Sequence, residues 1–79
     1  MIRVLFFGPV AERVDTREMQ FEHTPGMTLH DIIARVGMQY PGALSIVSFM
    51  ALNQGQTSDR QQPLQDGDEI AFMAKFSGG

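Results

Sequence analysis

The segment "TLHDIIARVG" most narrows what this chain can fold into. Leu29, Ile32, Ile33 and Val36 recur at i, i+3, i+4 and i+7, which draws one apolar stripe along a helix. Thr28 is placed to cap that helix, Asp31 suits the positive end of its dipole, and Gly37 is expected at the left-handed position that ends it. A stripe on one side needs a single apolar surface to lie on. The flanking segments supply one, because they read as strands.

"MIRVLFF" alternates Ile2, Val4 and Phe6 with Arg3, Leu5 and Phe7. Gly8 and Pro9 end it, and Pro9 can open a helical turn over "PVAERV", to about Val14. A second strand is expected near "REMQFEH", with Met19 and Phe21 on one face, followed by a turn at Pro25-Gly26. After the helix, "QYPGALS" reads as loop and "IVSFMALN" as a third strand, closed by turn chemistry at residues 53 to 56. A short additional strand has room before Asp66-Gly67, a tight turn that leads into the last strand, "DEIAFM". The expectation is an α+β fold: a mixed sheet of four to five strands with one main helix on one face.

Each strand carries apolar residues on both sides, which a sheet with a wet back does not need. If Ile2, Val4, Phe6, Ile70 and Phe72 face the helix, then Leu5, Phe7, Met73 and Lys75 face away, joined by Phe49. Two readings stand. Loops cover these residues or the inward and outward assignments are wrong, or else they form a partner-binding face, since large exposed apolar patches mark interaction sites. Most of the six methionines read as core filler.

Composition trims the functional classes. At 79 residues this is one small domain, which buries only about 60% of its unfolded surface. A net charge of -3 without a basic cluster argues against nucleic acid or an anionic membrane as partner, and fits a protein with a basic face. The absence of cysteine excludes disulfides, thiolate metal sites and cysteine nucleophiles. No signal peptide and no run near the roughly 20 apolar residues of a membrane span is seen, so a cytoplasmic location is expected. His23 and His30 have no co-ligands nearby in sequence and read as surface residues, so no metal site is expected. Asp66, Asp68 and Glu69 sit in a tight turn at spacings that do not match a calcium loop. Ser45, Ser48, Ser58 and Ser77 lack a nucleophile-elbow context. No side-chain active site emerges.

The chain ends "FSGG" after that last strand. Glycines have no Cβ to clash in a narrow channel and reach φ and ψ values closed to other residues. Extended, residues 76–79 span about 13 Å at roughly 3.3 Å per residue. The layout is therefore a body over 1–75 and a flexible tail over 76–79.

Together, "VLFFGPVAE", "ALNQ", "PLQDGDEIAF" and the terminal "SGG" resemble the small subunit family of molybdopterin synthase, ubiquitin-like β-grasp sulfur carriers. The likeness spans nearly the whole chain. It implies that the carboxylate of Gly79 is adenylated from ATP by an activating enzyme of the ubiquitin-activating type and then becomes a thiocarboxylate. The tail would enter the large subunit and give its sulfur to a pterin precursor for the dithiolene. It also implies that Gly78, Ser77 and Phe76 thread that tail, with Phe76 as anchor and Ser77 as a small adaptable contact. Partner contacts would come from Leu5, Phe7, Met73 and Lys75. The carrier itself would bind no cofactor and hold no catalytic side chain. The family often has proline at the tail root, where this chain has Ala74 and Lys75, so Lys75 either meets an acidic partner residue or stays solvated. A sulfur carrier of thiamine synthesis, or a ubiquitin-like modifier without sulfur chemistry, are the alternatives, and "GPVAERVD" favours the molybdopterin branch.

Overall fold

Strand β1 (Ile2–Phe6) lies inside the sheet, paired on both sides, with an alternation that serves both of its faces. Ile2, Val4 and Phe6 are buried on one face, while Arg3 is exposed and Leu5 half-buried on the other. The computed structural model describes residues 1–74. After β1 come helix α1 (Pro9–Val14), β2 (Glu18–Phe21), helix α2 (Leu29–Gln39), a 3₁₀ turn (Ala43–Ile46), β3 (Phe49–Leu52), β4 (Gly55–Thr57) and β5 (Glu69–Met73). The five strands form one sheet in the order β2-β1-β5-β3-β4. β1 and β5 run parallel, and every other pairing is antiparallel.

α2 lies across the core face, with Leu29, Ile32 and Val36 fully buried and Ile33 packed beside them. Beneath them, Phe6 and Phe72 stack with ring centroids 5.9 Å apart. The front of α2 is satisfied twice over. The Thr28 N–H donates to Asp31 Oδ2 at 2.8 Å, one arm of a capping box. The free N–H groups of Leu29 and His30 donate to the carbonyls of Gln62 and Arg60 at 3.0 and 2.7 Å. Those bonds pin the long 58–68 connection against the helix, and Leu64 is buried below it.

Three expectations are corrected. Gly37 does not end α2: the helix runs on to Gln39, and the chain reverses at Gly42, whose φ is +86°. A Cβ on Gly37 would meet only Leu44 Cδ1 at 3.7 Å, so neither the backbone nor a close approach requires glycine there. "IVSFMALN" is not one strand. Ile46 belongs to the 3₁₀ turn, held in part by the Ser45 hydroxyl donating to the Gly42 carbonyl at 2.6 Å, and pairing starts at Phe49. Only half of the methionines are core filler: Met27 is buried and Met19 and Met50 pack on the core, but Met1 and Met38 are exposed and Met73 lies on the opposite face. The turn at residues 53–54 forms as expected. Asn53 and Gln54 both have positive φ, which makes a two-residue hairpin and yields the short strand β4.

Candidate functional site

The face of the sheet opposite α2 is built in three rows, which follow from the register. The first row is polar and paired within itself. Arg3, beside Gln20 and Glu69, donates from its guanidinium to Glu69 Oε2 at 2.6 Å and reaches Glu18 Oε2 at 3.7 Å. Close by, Asn53 Nδ2 donates to Asp68 Oδ1 and Asn53 Oδ1 accepts from the Glu69 N–H, both at 2.9 Å. The second row is low: Leu5 pairs with Ala71, and Ala71 with Ala51, so two methyl groups form the floor. The third row is apolar and raised. Phe49 pairs with Met73, and the Phe7 N–H donates to the Phe72 carbonyl at 3.1 Å, which sets Phe7 on the other flank of Met73.

Water reaches this last row. Phe7 is 48% and Phe49 39% exposed, and Met73 is half-buried. Two half-wet phenylalanines on either side of one strand end are unusual unless something covers them. That end is also where β5 finishes. The Ser48 N–H donates to the Met73 carbonyl at 2.9 Å, and Ala74 packs against the core as the last described residue.

The structure thus brings Leu5, Phe7 and Met73 onto one face, with Phe49. The described loops leave Phe7 and Phe49 exposed and Leu5 and Met73 half-buried. Lys75, Phe76, Ser77, Gly78 and Gly79 lie outside the described residues, and so does the boundary between body and tail. The shallow middle contributed by Ala51 and Ala71 went unread in the sequence, because a small side chain carries no signal until its strand neighbours are known.

Of the remaining polar candidates, His23, Asp66 and Asp68 have structural partners. His23 Nε2 lies 2.9 Å from the Leu64 carbonyl, and His30 is an exposed residue in the first turn of α2. Gly67, at φ +93°, forms the turn beside Asp66. The Asp66 carboxylate accepts from the N-terminal ammonium, and this contact holds its pKa below the ordinary 3.8. Asp68 Oδ2 accepts from the Gln65 N–H at 2.7 Å and closes the same turn. Among the described residues, no three His, Asp or Glu side chains gather as metal ligands, and no helix is long and apolar enough to cross a membrane.

Comparison with known proteins agrees with this architecture. A molybdopterin synthase sulfur carrier subunit from Chlamydomonas reinhardtii is 32% identical over 81 aligned positions, covering 99% of this chain and 98% of that one. The crystal structure of SAMP1 from Haloferax volcanii superposes with a TM-score of 0.84 at 19% identity, covering 99% of this chain and 98% of that one. A protein–protein complex of subunits 1 and 2 of molybdopterin-converting factor from Helicobacter pylori 26695 contains a chain that superposes with a TM-score of 0.74 at 24% identity, covering 99% and 97%. The ThiS family model matches residues 4–79. With a ubiquitin-like β-grasp body and a family match that extends through both terminal glycines, the chain belongs to the ThiS family.

Proposed function

We propose that this protein is the sulfur-carrier subunit of a molybdopterin synthase and that Gly79 is its working residue. The end-to-end likeness to a molybdopterin synthase sulfur carrier subunit carries this reading, since it accounts for body and tail together. The chemistry needs no side chain of the carrier. A carboxylate is a poor electrophile, so an oxygen of the Gly79 carboxylate attacks the α-phosphate of ATP in an activating enzyme, and pyrophosphate leaves. Hydrosulfide then displaces AMP at the acyl carbon and leaves a thiocarboxylate. That sulfur passes to a pterin precursor in the large subunit, and water takes its place on the acyl carbon to restore the Gly79 carboxylate. ATP belongs to the activating enzyme.

The body's part is docking. The row Phe7–Met73–Phe49 stands at the root of the tail, so a partner that takes this face receives the tail beside it. The complex of two molybdopterin-converting factor subunits supports a large-subunit partner. A modifier without sulfur chemistry would use the same face and tail. The likeness to SAMP1, at 19% identity, speaks for the fold and does not choose between the two.

One experiment separates them. The chain is coexpressed with its activating enzyme and a sulfur source, and its terminus is probed by intact mass and a thiol-specific label. The thiocarboxylate adds about 16 Da and takes the label, which methionine oxidation does not. One residue appended after Gly79 should abolish the label and dithiolene assembly, and leave binding through Phe7 intact. A capped, untrimmed variant that still supports dithiolene assembly would overturn the proposal.

A further inference from the structure

A groove opens where β1 ends, between α1 and the β2 edge, with a volume of about 670 Å³. Leu5, Phe7 and Ala11 give it apolar walls, and Gly8, at φ +55°, adds backbone without a side chain. Three carboxylates line it, Glu12, Asp15 and Glu18, against one guanidinium, Arg17. Glu18 is engaged by Arg3 at 3.7 Å. Glu12 and Asp15 are exposed and enter no ion pair among the described residues. The groove is continuous with the apolar row at the end of β5, because Phe7 belongs to both.

We infer that this groove seats a basic side chain, an arginine or lysine, from the large subunit that covers the sheet face. The inference rests on the sulfur-carrier reading and names the chemistry of its interface. Only such a side chain uses both features of the groove. Its aliphatic stem covers Leu5 and Ala11, its cation lies against the Phe7 ring, and its charge is met by Glu12 and Asp15. A purely apolar residue would leave the two carboxylates facing it unanswered, and an acidic one would be repelled. The acidic net charge of the chain steers the same encounter.

The test measures the affinity of the full chain for its large subunit by calorimetry, at about 50 mM and about 500 mM salt, where screening lengths differ about threefold. Glu12→Gln with Asp15→Asn keeps side-chain shape and removes two charges; Glu22→Gln with Asp59→Asn, both outside the groove, removes two as well and controls for net charge. The groove variant should bind about three- to tenfold more weakly than wild type at low salt, and more weakly than this control, with the gap closing at high salt. Phe7→Asp should bind weakly at both. If the groove variant binds like wild type or like the control while Phe7→Asp still fails, the basic-residue seat is refuted and the docking face stands. If wild type does not bind the large subunit at all, the sulfur-carrier reading falls and takes this inference with it.

Discussion

Phe6 and Phe7 are chain neighbours with opposite surroundings, so truncating each to alanine separates folding from docking. Phe6 is 2% exposed and stacks on Phe72 at 5.9 Å, in a core that buries no polar residue among the described ones. Deleting a buried phenylalanine side chain costs about 3–5 kcal/mol. A domain of this size is stable by about 4–12 kcal/mol in total. Phe6→Ala should therefore lower the melting temperature by at least about 12 °C, from roughly 4–8 °C per kcal/mol, and in the least favourable case leave no folded state. Phe7 keeps 48% of its surface in water, so about half of a full burial term is at stake, roughly 1 kcal/mol. At an interface the same ring would lose its remaining exposure, and truncating an aromatic anchor costs about 2 kcal/mol or more, roughly thirtyfold in affinity. Urea titration of the isolated chain and calorimetry with the large subunit read the two quantities separately. Equal loss of stability in both variants would make Phe7 a core residue. Unchanged affinity in Phe7→Ala would remove it from the interface.

Two further outcomes follow from single positions. Gly37→Ala should raise stability by about 0.5–1 kcal/mol in denaturant titration, because the residue lies inside α2 and its added methyl meets Leu44 at an ordinary 3.7 Å; a loss would show a tighter α2–turn contact than this. The pKa of Asp66 is lowered by the N-terminal ammonium, so its contribution to stability is fully present above its unfolded value, near 3.8, and is lost as pH falls through the lower folded value. Wild type should therefore lose stability below about pH 4 more steeply than Asp66→Asn, and parallel curves in acid would refute the pairing.

The parts of this fold legible in the sequence were those whose signal is local. The stripe of α2, the alternation in β1 and the turn residues at 53–54 and 66–67 each fit a periodicity or backbone requirement confined to a few residues. The misread stretches are those where an apolar run is compatible with two conformations. Ile46 and Val47 look like strand, yet they reach the core from a 3₁₀ turn and its exit, because Gly42 has already reversed the chain. Gly37 looked like a stop because glycine often is one; α2 passes through it and ends at Tyr40, whose N–H still donates to the Val36 carbonyl at 2.8 Å. The outer face was half legible. Leu5, Phe7 and Met73 stood out as apolar residues out of phase with the core. The groove beside them did not, since Glu12 and Asp15 look like any solvated charges until α1 folds back along β1.

The parallel pairing of β1 with β5 joins residues 66 apart in sequence, as in the Arg3–Glu69 contact, and it explains why Phe7 and Met73 share one end of the sheet. Parallel strands end on the same side, so Phe7, just after β1, lies beside Met73, the last residue of β5. Antiparallel β3 starts where β5 ends, which brings Phe49 to the same edge. The far edge holds the N-terminal ammonium, Asp66 and the Arg3–Glu69 pair, whose polar groups satisfy one another and ask nothing of a partner. On the sulfur-carrier reading proposed above, the described body needs no pocket of its own: it needs one end that a partner can cover, and this strand order gathers Phe7, Met73 and Phe49 at the end where β1 and β5 finish.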